Sequence, residues 1–563
     1  MSFAALLFCG SNLALAGHPK LASDINTTSE PEATLNVIVK VKKGTNARAL
    51  DRMKGHGATH LAPMDLIDSH LIRIRAADLD RLVLEDDVEF VSPDRQVKST
   101  AYTGGPDYGW MLTEGISTTY GTLAYDGTGI GVAVLDTGVT PFSDLKSASG
   151  ANRIVYKQDF TGTNIATDNH GHGSMVAGII AGNGGKSNRS DGTYWIRGYA
   201  PNSSIINLKV LNDTGVGTDS QVIAAINQAI ALKSTYNIRV LNLSLGRPVT
   251  QSYKTDPLCQ AVEAAWNAGI VVVVAAGNDG RNNSLGTHGY GTIGAPANDP
   301  YVITVGAYNT SSTLVGGDDK MASYSSKGPT AVDHIVKPDL VAPGNRILSI
   351  RNQGSYLDTK YNSNMVPLTA YTTSTSTSAS SYFQLSGTSF AAPMVSGAAA
   401  LLIQKNPNLT PDQVKAVLMK NSSKLAQATT TAVDPVSGTQ YNTQNDIFTV
   451  GAGLMNVSKG LASTELLSGT AASPVAVYNT STSQVSLQFL TGSSFVWGTG
   501  SVWGSSFVWG TGTITGSSFV WGTGTVWPSS SASGYSFVWG TSFVWGTGSD
   551  AIEAESVSLN GEN

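Results

Sequence analysis

The chain has 563 residues, 41% of them apolar, and a formal net charge of −5 at pH 7. This length exceeds that of an ordinary single domain and predicts about two to four folded units with a sizeable core. The small net charge excludes a polybasic nucleic-acid-binding protein. No run approaches the ~20 apolar residues that a transmembrane segment needs.

The N-terminus carries a short apolar run that ends at Ala14-Leu15-Ala16, the small-x-small pattern of a signal-peptidase site. Residues 1–16 are therefore predicted to be a signal peptide, although no basic residue precedes the apolar run. We expect a secreted, extracellular protein. After removal of this segment Cys259 is the only cysteine in the sequence, which excludes an intramolecular disulfide.

Residues 17–100 are dense in charge, with 12 Lys and Arg and 13 Asp and Glu. The spacing of apolar residues predicts the order strand, helix, strand, helix, strand. These elements are expected at 35–42, 47–55, 69–75, 76–87 and 88–93. The order is typical of a small α+β module.

From about residue 101 the sequence changes to apolar, β-branched runs separated by helical segments, such as VAVLD and VVVVAAG. Such runs are typical of a parallel sheet covered by helices on both faces, so 101–465 is predicted to be an α/β domain. Thr410 to Gln413 combines a capping box with a proline, which predicts a helix start. The Ser/Thr/Asn-rich stretches 183–194 and 354–384 are expected to be surface insertions.

The last part of the chain, 466–563, is repetitive. No Asp, Glu, Lys or Arg occurs from Leu466 to Ser549, and a V-W-G motif recurs every six or twelve residues. A period of six places all tryptophans on one face of a β ribbon. We expect this tail to be β-rich or disordered, and its seven tryptophans to bind a cell surface or a polymer.

Nucleophilic catalysis needs a hydroxyl, a base within hydrogen-bond reach and a group that orients the base. His172 stands in HGHGSMVAGIIAG, where glycines lead into a helix of small residues. Asp136 ends an apolar run, at the strand edge where open α/β sheets place their sites. Ser389 lies in SGTSFAAPMVSG, where a helix begins and its dipole favours a nucleophile. His170 is interpreted as structural.

Three such motifs in the order Asp, His, Ser resemble the subtilisin-like serine proteases. The resemblance covers about 105–460 and implies a parallel-sheet catalytic domain with Asp136, His172 and Ser389 as its catalytic triad. The segment VVVVAAGNDG is similar to the oxyanion segment of that family, which implies that Asn278 is the side-chain donor. KPDLVAPG, at 337–344, is also typical of the family.

The resemblance also implies two substrate-binding strands and a pocket. LNLSLG and KVLNDTGVG are similar to the family's strands on either side of the substrate. The implied residues are Ser244, Leu245 and Gly246 on one side, Gly215, Val216 and Gly217 on the other, and Gly294 at the primary pocket. Arg247 replaces a common glycine, so we expect an altered pocket wall.

No cofactor is implied for the chemistry. Asp144 resembles a calcium ligand of other members of that family, which implies a structural calcium ion. The rest of that calcium site falls in a region where this sequence differs from the family. The module 17–100 resembles the family's inhibitory propeptide, which occupies the cleft with its C-terminal end and is cut near 97–105. The implied partners are protein or peptide substrates and the chain's own propeptide.

Three alternative functions differ from this one in sequence features or in the role of the tail. A catalytically dead binding protein on this scaffold would have lost a triad residue or Asn278, and neither is lost. A serine-carboxyl peptidase would need a glutamate-based triad and an acidic oxyanion residue, which His172 and Asn278 argue against. A third possibility makes the tail the functional end and the protease only its processor.

Overall fold

The computed structural model describes residues 18–25, 31–99, 125–284, 286–313, 317–376, 379–425, 427–465, 469–479, 484–488, 514–515, 520–521, 525–526 and 562. The predicted signal peptide and most of the repeats, with the predicted face of tryptophans, lie outside these residues. The chain divides into two compact units, Met1–Asp94 and Arg95–Asn563. They are called the N-terminal unit and the C-terminal unit below.

The N-terminal unit is an antiparallel four-stranded sheet with two α-helices. In spatial order the strands are Thr59–Met64, Ser69–Arg75, Thr34–Val41 and Val88–Pro93, and the helices are Asn46–Gly55 and Ala76–Leu82. Alternate residues of the central strand, such as Val37 and Val39, are completely buried beside Met53 and Leu79 of the helices. This is the predicted α+β module with one further strand, Thr59–Met64.

The C-terminal unit is built on an eight-stranded sheet, which confirms the predicted α/β class. Its strands are Lys320–Met321, Ile303–Asn309, Val271–Ala275, Ile238–Leu243, Gly131–Asp136, Ser204–Lys209 and Ile154–Asp159 in spatial order, with Leu340–Pro343 paired to Ile303–Asn309. All neighbours are parallel except Lys320–Met321. Its α-helices are His172–Ala181, Asp219–Ala231, Lys233–Tyr236, Pro257–Asn267, Tyr356–Lys360, Thr388–Lys405, Pro411–Lys420 and Val457–Ala462.

Smaller sheets complete the C-terminal unit. Their strands are Gln96–Ser99, Val216–Thr218, Leu245–Gly246, Ile347–Ile350, Met365–Pro367, Ala379–Leu385, Thr429–Val433, Gln440–Gln444, Val475–Asn479, Gln484–Gln488, Ile514–Thr515, Val520–Trp521 and Thr525–Val526. The last three lie in the repeat region and form antiparallel pairs. Among the described residues, no helix combines the length and the apolar character needed to cross a bilayer.

The compact units and their contacts divide the chain at other residues than the predicted bounds 101 and 465. Strand Gln96–Ser99, assigned by sequence to the module 17–100, pairs with two strands of the C-terminal unit. At the other end, Ser473 is completely buried and its hydroxyl donates to Asp339 at 2.5 Å. Val475 bridges to Ile335 in the same unit. The first residues of the predicted tail are therefore part of this domain, because they fill its core and its hydrogen bonds.

Candidate active site

The strand order places the site. Gly131–Asp136 has Ser204–Lys209 on one side and Ile238–Leu243 on the other. Later strands of the chain are therefore added to the sheet on both sides of this strand. Such a switch point opens a crevice at the carboxyl ends of parallel strands. Asp136 is the last residue of that strand and its side chain is completely buried.

His172 is held against Asp136. His172 begins the helix His172–Ala181, and its Nδ1 lies 2.7 Å from Asp136 Oδ1, with both side chains 0% exposed. The close approach needs a glycine, because a Cβ at Gly173 would lie 2.1 Å from the Gly138 carbonyl oxygen. An ionised carboxylate only accepts, so Nδ1 carries the proton and Nε2 has a lone pair. Within the described residues, Nε2 has no hydrogen-bond partner.

Asp168 fixes this helix start, and sequence reasoning missed it. Its Oδ1 accepts from the backbone N–H of His170 at 3.1 Å and of Gly171 at 2.7 Å, and its Oδ2 accepts from Ser174 at 2.8 Å. Oδ1 also accepts from the Thr137 hydroxyl, beside Asp136. Asp168 thus satisfies the free donors at the start of the histidine helix. An Asp four residues before the first helical residue was the available signal.

Ser389 is the second residue of the helix Thr388–Lys405, which follows Gly387 at φ 143°. Its hydroxyl donates to the Ser244 carbonyl at 3.1 Å, and the ring of the next residue, Phe390, lies 5.2 Å from the His172 ring. The helix is buried along most of its length and packs against the central sheet. The hydroxyl is therefore presented at a helix N-terminus next to the histidine.

A proline explains why the Ser244 hydroxyl binds the backbone of Ser389. Pro393 lies inside the helix and has no N–H, so the carbonyl of Ser389, four residues earlier, lacks its helical donor. The Ser244 hydroxyl donates to that carbonyl at 2.7 Å. Ser244 Oγ accepts in turn from Asn242 Nδ2 at 2.9 Å, and Asn242 Oδ1 accepts from Ser396 at 2.8 Å. This chain of hydrogen bonds joins Asn242 and Ser244 to the first turns of the helix Thr388–Lys405.

Replacing Ser244 with alanine is expected to lower the free energy of unfolding by about 1–3 kcal/mol, because it leaves the Ser389 carbonyl and the Asn242 amide buried without their partner. Equilibrium urea unfolding of variants that also carry Ser389→Ala measures this without self-digestion. Ser149→Ala, at an exposed serine, is the matched control. Equal stability of the Ser244 and Ser149 variants would contradict the proposed hydrogen-bond chain.

Asn278 lies beside the start of the helix Thr388–Lys405. Its Oδ1 accepts from the Thr388 backbone N–H at 2.9 Å and from the Thr388 hydroxyl at 3.0 Å. These two donors identify the acceptor atom of the Asn278 amide as its oxygen. The opposite atom of the amide is therefore the NH₂ group, which is a hydrogen-bond donor. The structure therefore brings Asn278, Ser389, His172 and Asp136 together as one group.

A strand of the chain lies between the two predicted substrate-binding strands. Gln96–Ser99 pairs antiparallel with Val216–Thr218 on one side and with Leu245–Gly246 on the other. Lys98 is opposite Val216 and Gly246, and Val97 is opposite Gly217. Gly215, the third residue of that predicted set, precedes the strand at φ 77°. The predicted residues on both sides thus meet one extended segment.

The subtilase family matches residues 127–453, which is more than half of the chain and includes every residue of the group above. The chain belongs to the subtilase family. It is 39% identical over 304 residues to serine protease AprX of Bacillus subtilis strain 168, covering 53% of this chain and 62% of AprX. It is 34% identical over 305 residues to subtilisin DY of Bacillus licheniformis, covering 54% of this chain and 87% of that protein.

A solved structure shares the fold of this subtilase. Fervidolysin from Fervidobacterium pennivorans, described as a keratinolytic enzyme related to subtilisin, superimposes with a TM-score of 0.57 and 22% identity, covering 80% of this chain and 63% of fervidolysin. At this identity the likeness concerns the fold. The chain spans less than two thirds of the length of fervidolysin and of AprX.

Arg247 does not shape the pocket in this subtilase with its side chain, contrary to expectation. Its guanidinium is buried between two carboxylates, with Nη2 lying 2.8 Å from Asp219 and 2.8 Å from Asp256. Its backbone pairs with that of Ala295, since Arg247 N–H donates to the Ala295 carbonyl at 3.1 Å. A Cβ at the predicted pocket residue Gly294 would lie 3.0 Å from the Arg247 carbonyl oxygen, so the glycine permits this close approach.

His170 is structural in its contacts, as interpreted from the sequence. Its ring stacks on Tyr356 with centroids 5.5 Å apart, and it is buried. Burial lowers the pKa of His170 to about 4, against the opposing charge of Asp168. The ring of His170 is therefore neutral at pH 7.

The surroundings of Asp144 do not fit a calcium ion. Its Oδ2 accepts from the Tyr382 hydroxyl at 2.6 Å, and its Oδ1 accepts from the Lys186 backbone N–H at 2.9 Å. Calcium takes six to eight oxygen ligands, whereas both oxygens here are bound to protein donors. Within the described residues, no group of three or more His, Cys, Asp or Glu is placed to hold a metal. A calcium requirement stays a prediction for a binding measurement.

Proposed function

We propose that this subtilase is a secreted serine endopeptidase, synthesised as a zymogen that cuts itself. The observation that carries the proposal is the strand Gln96–Ser99, which is bound between two strands beside Ser389 as an extended peptide substrate would be. Added strands of this kind are recognised through their backbone, so the specificity is expected to be broad. Relatives named as a serine protease and as a subtilisin support the activity.

The proposed mechanism uses the side chains described above. His172 Nε2 takes the proton of Ser389 as the hydroxyl attacks the scissile carbonyl, and later delivers it to the leaving amine. Asp136, hydrogen-bonded to Nδ1 at 2.7 Å, holds the tautomer that leaves Nε2 as the acceptor and stabilises the imidazolium. The Asn278 amide and the Ser389 backbone N–H donate to the oxyanion of the tetrahedral intermediate. This chemistry needs no cofactor.

Ser389 must turn its hydroxyl from the Ser244 carbonyl towards His172 Nε2 before it can react. Catalytic hydrogen bonds are often incomplete until a substrate is in place, so the contact of 3.1 Å to Ser244 is compatible with the role. A rotation about the Cα–Cβ bond is a change between staggered rotamers and needs no backbone movement. The Ser389 hydroxyl can thus reach the proposed base, His172, by side-chain rotation alone.

The register of the bound strand indicates where the zymogen is cut. Lys98 is opposite Gly246 and Ser99 is opposite Leu245, so this antiparallel strand runs towards Ser244 in its C-terminal direction. The Ser244 carbonyl is the atom that holds the Ser389 hydroxyl. We therefore propose cleavage after residue 100, within the predicted range 97–105, with the N-terminal unit acting as the inhibitory propeptide.

N-terminal sequencing of the secreted enzyme is expected to begin at Ala101. The Ser389→Ala chain, made in the same host, is expected to keep the N-terminal unit, which separates self-processing from cutting by host proteases. A mature N-terminus upstream of Gln96 would contradict the register, because the strand would then remain attached to the enzyme.

The uncharged repeats are proposed to hold the enzyme on a surface or polymer. Seven tryptophans without neighbouring charges support this, because exposed aromatic rings bind apolar and carbohydrate material. Deleting 491–548 is expected to leave hydrolysis of small peptides within about twofold of the parent while reducing retention on insoluble polysaccharide or whole cells. Equal retention of both proteins would remove the repeats from that role. Loss of peptide hydrolysis in the folded deletion variant would make the repeats part of the catalytic unit.

A further inference from the structure

Glu562, far along the chain from the active site, is completely buried in the C-terminal unit. A buried carboxylate needs partners for its charge, and here each oxygen has them. Oε1 accepts from the Ser323 backbone N–H at 2.7 Å, and Oε2 accepts from Arg281 Nη2 at 2.9 Å and from the Ser323 hydroxyl. The carboxylate is therefore bound by three donors from two separate segments.

The backbone of Glu562 is recognised as well. Its N–H donates to Asn345 Oδ1 at 3.1 Å, and its carbonyl accepts from Asn345 Nδ2 at 3.0 Å. Asn309 Nδ2 donates to the same carbonyl at 3.2 Å. Both asparagines are at most 5% exposed, so without an occupant their amides would be buried and unsatisfied. Arg281, Ser323, Asn309 and Asn345 are called the Glu562 pocket below.

Arg281 is held in place by contacts other than Glu562. Its Nη1 lies 2.8 Å from Asp434 Oδ2, its Nε donates to Ser323 Oγ at 2.7 Å, and its guanidinium lies 4.0 Å from the centre of the Tyr441 ring. The side chain is 5% exposed. A guanidinium fixed on two sides presents its remaining edge in one direction, which makes the pocket selective for a carboxylate.

The chain also contacts the rest of the C-terminal unit at residues well before Glu562. Ala476 N–H donates to the His334 carbonyl at 2.8 Å, and the strand Val475–Asn479 follows. Residues 480–561, which contain the V-W-G repeats, lie between that strand and Glu562. A docked segment on the same chain competes at a high effective concentration, so an intramolecular occupant is favoured over a second molecule.

We propose that the Glu562 pocket is a docking site within this chain, with the Glu562 carboxylate as the recognised group. A single cut within the repeats then leaves the piece that carries Glu562 attached to the rest of the C-terminal unit. This assignment does not depend on the peptidase chemistry, and its test does not measure activity.

Trimming by a carboxypeptidase of broad specificity tests the docking directly. The Ser389→Ala chain of 563 residues is digested in its native state and after unfolding, and intact-mass spectrometry counts the residues lost. In the native protein, removal of Asn563 is expected to be followed by arrest at Glu562. In the unfolded protein, trimming is expected to pass Glu562 at least tenfold faster.

Arg281→Gln is the variant that addresses recognition, and it is expected to raise the rate of Glu562 loss from the native chain at least tenfold. Arg189→Gln removes an exposed arginine paired with Asp191 and is expected to behave as the parent. Loss of Glu562 at equal rates from native and unfolded parent protein would overturn the docking, whether or not the variant folds. Arrest at Glu562 in a folded Arg281→Gln protein would overturn the assignment of the carboxylate as the recognised group.

Discussion

Replacing Ser389 with alanine is expected to lower the turnover of peptide substrates by about 10⁶-fold, the size of effect known for loss of the nucleophile in a subtilisin. The reason is that Ser389 is the proposed attacking hydroxyl, whereas the other hydroxyl at this helix start, that of Thr388, donates to Asn278. The assay is hydrolysis of a chromogenic peptide and of casein. Because the substitution removes one oxygen atom and a hydrogen bond of 3.1 Å to the Ser244 carbonyl, the variant should fold and bind substrate.

The matched control is Ser396→Ala, in the same helix two turns later. Its hydroxyl donates to Asn242 rather than to a reacting group, so it is expected to keep most of the turnover. Full activity of the Ser389→Ala protein would show that another residue attacks the substrate, and the whole assignment of the triad would fall.

Replacing Asn278 with leucine is expected to lower kcat by about 10²–10³, as loss of the corresponding donor does in subtilisin, with little change in KM. The amide donates to an oxygen that carries charge only in the tetrahedral state, so its loss affects the transition state more than substrate binding. Steady-state kinetics on a peptide amide separates the two constants.

Leucine at 278 also removes the acceptor for the Thr388 backbone N–H, so stability must be measured beside activity. Asn408→Leu, at an exposed asparagine, shows what the same substitution does away from the site. A loss confined to KM in a folded Asn278→Leu protein would assign this residue to substrate binding instead of to the oxyanion.

The features that could be predicted from the sequence are those that depend on residues close together in the chain. Alternating and continuous apolar runs predicted the N-terminal module and the parallel strands of the α/β domain. The capping box at Thr410 and Gln413 predicted the start of the helix Pro411–Lys420, and the structure shows both of its reciprocal hydrogen bonds. Local hydrogen bonding and burial determine these elements, so a short window of sequence contains the information.

The features that were missed depend on distant contacts. The stretch 354–384 was expected to be a surface insertion because it is rich in Ser, Thr and Asn, yet Tyr371 and Tyr382 within it are buried and Tyr382 donates to Asp144. A single aromatic residue in a polar run gives no sign of the partner that buries it. The same holds for Glu562, whose partners lie more than 200 residues away.

Within the candidate site, motifs predicted which residues come together, but they did not predict the residues that support them. Asp136, His172 and Ser389 stand in recognisable motifs, whereas the donation from Ser244 to the Ser389 carbonyl follows from a proline four residues further along the helix. Arg247 was misjudged because its position suggested the pocket wall, while its charge is neutralised by Asp219 and Asp256 behind it. A buried guanidinium needs carboxylates, and sequence alone does not show which ones it reaches.

The central claim is that Ser389 is a nucleophile activated by His172. A fluorophosphonate probe, followed by digestion and mass spectrometry, identifies the serine that reacts. The account predicts one modified peptide, labelled at Ser389, and loss of labelling in the folded His172→Ala protein, because the hydroxyl then has no base. Labelling at another serine, or undiminished labelling of Ser389 without His172, would contradict it.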